Sequence, residues 1–132
     1  MTRTTFLPSS FSPSFSEAIS IDQGGAQWIL ISGQVGVPMQ SGGRPDSLSF
    51  EEEVRTCFNR IASSLDKMGA KLSDVVRMEV HITDLSLYGT FSKIRSEYFP
   101  KDPPTSTAVQ VAGLLLGARI EIGGMAYIPA KA

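Results

Sequence analysis

The segment Gln27-Trp28-Ile29-Leu30-Ile31-Ser32 restricts the fold more than any other part of the chain, because apolar side chains occupy consecutive positions from Trp28 to Ile31. Successive residues of a strand point to opposite faces, so a strand of this kind needs cover on both sides. It predicts a hairpin with Ala18-Ile19-Ser20-Ile21 across the turn signal Asp22-Gln23-Gly24-Gly25. Gly33-Gln34-Val35-Gly36-Val37-Pro38 ends the second strand, and a polar Gly/Pro loop follows over 38–47.

The remaining chain offers only two helices. Ser49-Phe50-Glu51-Glu52 has capping-box spacing, and Glu51, Glu52 and Glu53 put negative charge where the helix dipole favours it. Phe50, Val54, Cys57, Phe58, Ile61, Leu65 and Met68 recur at three- and four-residue steps, and Gly69 is a C-terminal stop. Val76, Met78, Val80 and Ile82 alternate with Arg77, Glu79, His81 and Thr83, which predicts a half-buried strand. Tyr88, Phe91, Ile94 and Tyr98 share one face of the second helix, which Pro100 ends. Ser106–Val111 and Arg119–Tyr127 read as the last two strands, linked by Gly113-Leu114-Leu115-Leu116-Gly117. The order is β-β-α-β-α-β-β.

Two helices cover one face of so wide a sheet. The other face then exposes half of the doubly apolar strand, and Leu114, Leu115 and Leu116 are expected to add an exposed apolar patch. Patches of that kind usually mark contacts, so an oligomer that buries the second face is expected; the alternative is a solvated antiparallel face. At 132 residues the chain has room for one domain. Residues 1–15, rich in Ser, Pro and Phe, lack both periods and read as an arm docked on the surface of a single domain over 16–132.

Lys plus Arg number 12 and Asp plus Glu 13, for a net charge of −1. That balance argues against a nucleic-acid partner, whose phosphates a basic surface would neutralise. No apolar run reaches the length of a bilayer span, and the N-terminus lacks the pattern of a signal peptide. A soluble, cytoplasmic protein is the expectation. One cysteine, Cys57, excludes an internal disulfide framework and a cysteine-built zinc site. It lies on the apolar helix face and reads as a core thiol.

His81 sits mid-strand beside Glu79 and Arg77 on the face without helices. It reads as a histidine satisfied by those neighbours at a subunit contact, with acid–base work as the alternative. Ser32 ends an apolar strand before Gly33, where a hydroxyl can point into a cleft and the bare glycine lets a ligand approach the backbone. No Gly-x-Ser-x-Gly elbow surrounds it. Arg119, Glu121 and Gly123 share one strand face; Glu121 is the best carboxylate for activating a water, and an Arg119–Glu121 salt bridge is the competing reading. The glycine pairs match no phosphate loop.

An ordered set of motifs then stands out. Ile31-Ser32-Gly33-Gln34, Asp74-Val75-Val76-Arg77, Val80-His81-Ile82-Thr83-Asp84-Leu85, Tyr98-Phe99-Pro100, Pro104-Thr105-Ser106-Thr107-Ala108-Val109-Gln110-Val111 and Ile120-Glu121-Ile122 together resemble the Rid family (YjgF-like, reactive intermediate deaminases) from about Pro13 to Ile128. The resemblance implies a chorismate-mutase-like α+β fold: a mixed sheet with two helices on one face, three copies closing into a barrel, and ligand clefts between subunits. It implies hydrolysis of enamines and imines to 2-oxo acids and ammonia, a homotrimer, a small-molecule ligand, and no metal or organic cofactor.

The chain also departs from the family pattern. Ser106 stands at the family's arginine, in its Pro-x-Arg-Ser/Thr stretch, and Gly123 at the family's glutamate. Phe15 stands at the aromatic hydroxyl of the arm, while Ser32 and Gly33 match. Losing the arginine's contact to a carboxylate costs about 2–5 kcal/mol of ligand binding. For Arg119 or Glu121 to replace the missing groups, a two-residue step of about 6–7 Å must be bridged. The expected site is therefore Glu121 as the catalytic carboxylate, with Phe15, Ser32, Gly33, Ser106, Thr107 and Arg119 in binding roles. The alternative is a trimer that binds a small metabolite without chemistry.

Overall fold

The structure, a computed structural model, describes residues 2–131. Strands β1 (Thr2–Pro8), β2 (Ser16–Gln23) and β3 (Ala26–Val35) are followed by helix α1 (Phe50–Lys67), β4 (Val75–Ile82), α2 (Tyr88–Tyr98), β5 (Thr105–Gln110) and β6 (Ile120–Ile128). The six strands form one sheet in the order β1-β2-β3-β6-β4-β5. β4 and β5 run parallel and are joined through α2, as parallel neighbours need a crossover; the other neighbours pair antiparallel.

Both helices lie on one face. Ile29, Ile31, Met78, Val80, Ile82, Ile120 and Ile122 alternate inward and meet Val54, Cys57, Phe58, Ile61 and Leu65 of α1 and Phe91 and Ile94 of α2. Phe58 anchors the layer, with ring centroids 4.8 Å from Tyr98, 5.7 Å from Phe99 and 6.1 Å from Phe91. Full burial of such a ring contributes about 1.5–3 kcal/mol. Ser49 caps α1 by accepting the Glu52 N–H at 3.1 Å. Gly69, at φ +80°, closes the other end while the Ala70 N–H reaches the Leu65 carbonyl.

Two expectations are corrected. Thr2–Pro8 is not an irregular arm but an edge strand, paired with β2 from Thr2 opposite Gln23 to Leu7 opposite Ala18. Its own sequence carries no strand alternation; the open edge of β2 supplies the partner. The three leucines are not jointly exposed. Leu114 and Leu116 pack on Val35, Val37 and Ala118 in a small second cluster, and only Leu115 projects into solvent. Leu116 adopts a left-handed φ of +61° to turn the chain there.

The helix-free face has the apolar character expected of it. Trp28 and Leu30 are 41% and 38% exposed, and Val76 and Val109 are exposed as well. Phe6 of β1 continues the patch, opposite Ile19. Among the described residues no helix is long and apolar enough to cross a membrane.

Candidate functional site

On this helix-free face the pairing of β3 with β6 is interrupted. Ile31 faces Gly124 and the next paired residue, Gln34, faces Ile122, so Ser32 and Gly33 bulge out of register. Bulges re-aim side chains and break the ladder beside sites of this kind. The break opens a cavity of about 450 Å³ lined by Ile19, Leu30, Ser32, Gly33, Arg77, Glu79, His81 and Glu121, among others.

Glu121 is its central polar group. The strand period sets it on the outer face, directly across from His81 of β4. Its carboxylate folds back over Gly33: a Cβ built at Gly33 would lie 2.7 Å from Glu121 Oε1 and 2.8 Å from Cδ. Gly33 is therefore the residue that lets a carboxylate from two positions away reach the bulge. Gly124 has a separate reason to be bare, since a Cβ there would sit 2.0 Å from the Arg77 carbonyl oxygen where β4 itself bulges. Arg77 Nε pairs with Glu79 Oε1 at 3.3 Å, an exposed pair that contributes little to stability.

Ser32 lines the cavity, but its hydroxyl donates to the Ser16 carbonyl at 2.6 Å. What it offers a ligand is lone pairs. Phe15 lines a neighbouring cavity of about 190 Å³, which shares Gly33 with the first.

The structure does not bring the other expected residues here. Arg119 precedes β6 and is free of strand alternation, and Glu53 of α1 captures it. The Arg119 N–H donates to Glu53 Oε2 at 2.6 Å and Nε to Oε1 at 2.8 Å, while Nη2 donates to the Leu48 carbonyl at 2.6 Å. Glu53 is fully buried, so the pair belongs to the architecture rather than to the cavity. Arg119 makes no salt bridge with Glu121. Ser106 points to the helix side of the edge strand β5, where its Oγ accepts a hydrogen bond from Arg95 Nη1 at 3.0 Å. Thr107 is exposed on β5, level with Glu79.

Sequence reasoning gives Arg95 no role and Glu53 only a share in the charge of the first helical turn. The signal for Arg95 was its spacing with Tyr88 and Ser92, which aligns three polar groups along one side of α2. Nothing local marked Glu53 off from its two acidic neighbours. Cys57 is buried, and burial pushes its thiol well above the usual range, which removes it as a nucleophile. Among the described residues no three His, Cys, Asp or Glu side chains gather as a metal site.

Comparison with known proteins bears on the family and the fold. Residues 10–128 match the family model described as Endoribonuclease L-PSP. The 2-iminobutanoate/2-iminopropanoate deaminase of Mus musculus is 32% identical over 123 residues, which cover 93% of this chain and 87% of that protein. The crystal structure of RidA from an Antarctic Psychrobacter superposes with a TM-score of 0.75 at 27% identity, over 92% of this chain and 94% of that one. A member of the YjgF/YER057c/UK114 family from Mycobacterium tuberculosis gives 0.76 at 26% identity, over 96% and 100%. A mixed six-stranded sheet backed by two helices, bearing the Ser32-Gly33 bulge and a family match across nearly its whole length, identifies this chain as a member of the Endoribonuclease L-PSP family, that of the Rid (YjgF-like) proteins its motifs resemble.

Proposed function

We propose that this protein hydrolyses small imines or enamines to the corresponding oxo compounds and ammonia, as a homotrimer with its clefts between subunits. The observation that carries the reading is the Glu121 carboxylate resting on Gly33 at the edge of an open cavity. The family's glutamate position holds Gly123, yet a carboxylate reaches the same bulge from Glu121. The mouse relative is named for deamination of 2-iminobutanoate and 2-iminopropanoate, which supports the same chemistry.

The reaction asks little of the protein. The imine carbon is already electrophilic, so the site must hold the substrate, place a water and move protons. Glu121 accepts a proton as the water oxygen bonds to the imine carbon. The proton passes to nitrogen, the carbinolamine collapses, the C–N bond breaks and ammonia leaves as the C=O forms. His81, across the ladder from Glu121, is placed to share that proton traffic.

The apolar helix-free face supports the trimer, because Trp28, Leu30 and Val109 stand exposed on it and another copy would cover them. A cleft that binds without chemistry is the second reading, favoured by the commitment of the Ser32 hydroxyl to Ser16. RNA cleavage fits less well, given a net charge of −1 and a single histidine.

Ammonia release from freshly generated 2-imino acids tests the reading. The protein should accelerate it, and Glu121→Gln should slow it by about 10²–10⁴-fold. No acceleration with any of several imines removes the enzyme and leaves the binding protein.

A further inference from the structure

We propose that Arg95 is the anion-binding group of this protein, taking the carboxylate of a small 2-oxo or 2-imino acid in the cavity at the β5 edge. The choice of acid rests on the deaminase reading, in which the cleft between subunits brings Arg95 of one copy to the Glu121 cavity of the next, since within one chain the two cavities share no residue; the assignment of an anion rests on the geometry alone.

The Arg95 guanidinium is fixed before any ligand arrives. Nη1 donates to Ser106 Oγ at 3.0 Å, and Nη2 donates to Tyr88 Oη at 3.0 Å and Ser92 Oγ at 3.1 Å. Its Cζ lies 5.0 Å from the ring centroid of Phe91 and 5.6 Å from that of Tyr88. A guanidinium stacked on rings and tied by three hydroxyls has little freedom left to lose on binding.

Every one of those partners is neutral. The ion pairs of the described residues join Arg55 to Glu97, Arg77 to Glu79 and Arg119 to Glu53, and no described carboxylate lies within 4.0 Å of Arg95. A half-buried positive charge is thus held in place without a counter-charge. The donor inventory points the same way. Three of the five guanidinium N–H groups are engaged and two are open. The Tyr88, Ser92 and Ser106 oxygens accept from Arg95, so each keeps its own O–H to give. An incoming group meets donors, and an anion satisfies them.

The cluster also faces space. Tyr88, Arg95, Phe99, Pro103, Pro104 and Ser106 line a cavity of about 360 Å³, within the range that small-molecule sites occupy. Ser106 stands where the Rid resemblance has an arginine, and Arg95 is bonded to that same side chain. The cation is delivered from α2 instead of from the strand. Two arginines so close would repel, so a serine at 106 suits an arginine at 95.

Calorimetric titration of the full-length protein with 2-oxobutanoate and with its amide, which keeps the shape and loses the charge, tests this. The wild type should prefer the acid. Arg95→Gln should weaken acid binding by about 30-fold or more and leave the amide unaffected. Arg95→Lys, which keeps the charge and loses the planar group that Tyr88, Ser92 and Ser106 hold in place, should fall between them. The proposal is wrong if the wild type shows no preference for the acid, or if Arg95→Gln binds it as the wild type does. Should the Gln variant not fold, undiminished binding by Arg95→Lys refutes the proposal and weakened binding supports it. Arg95-dependent acid binding without ammonia release retains the anion site and discards the deaminase. Deamination indifferent to Arg95→Gln does the reverse.

Discussion

Arg119→Met separates an architectural arginine from a ligand-binding one. Methionine keeps an apolar stem of similar length over Phe50, whose ring centroid lies 5.7 Å from the native guanidinium carbon. It removes the 2.8 Å bond to Glu53 Oε1 and the 2.6 Å bond to the Leu48 carbonyl. Glu53 is fully buried and retains only the Arg119 backbone N–H on its other oxygen. Stranding one member of a buried ion pair costs about 3–5 kcal/mol. For a domain of this size that lowers Tm by roughly 10 °C or more. Urea and thermal unfolding at matched protein concentration give the number, since assembly would couple stability to concentration. Adding Glu53→Gln to Arg119→Met should recover part of the loss, because no uncompensated charge then remains. Should Arg119→Met unfold within about 1 kcal/mol of the wild type while acid binding collapses, Arg119 belongs to a ligand site and the assignment above is wrong.

Other outcomes follow from the same geometry. Trp28→Asp together with Leu30→Asp charges the apolar face and should leave single chains by light scattering; a surviving assembly would place its seam elsewhere. Gly33→Ala puts a methyl 2.7 Å from Glu121 Oε1, so the carboxylate must swing away. Its turnover should fall by about 10²-fold with unfolding little changed, and normal turnover would detach Glu121 from the chemistry. The Cys57 thiol, raised by burial, should resist iodoacetamide at mildly alkaline pH and react in denaturing urea; labelling of the native protein would mean that α1 opens.

How far the sequence reached depended on the range of the interaction. Helix α1 was readable from Ser49 to Gly69 because cap, apolar stripe and stop lie within one segment. The site was half readable. Strand alternation alone sets Glu121 and His81 on one face, but Ser32-Gly33, expected to end β3, is a bulge within a strand that runs on to Val35. Arg119 was misplaced because its true partner, Glu53, lies 66 positions away and no periodicity links them. Arg95 finds Ser106 across a crossover in the same way. β1 escaped because Thr2–Pro8 shows no apolar alternation and the edge of β2 that it pairs with lies beyond an intervening loop.

That first strand carries a practical consequence. Thr2–Pro8 is the sole cover on the outer rim of β2 among the described residues. Trimming these residues, or fusing a bulky tag that pulls them away, would bare a row of unsatisfied amides flanked by Ile19 and Ile21. Such a rim recruits stray chains, so preparations shortened at this end should precipitate even with the cavity intact.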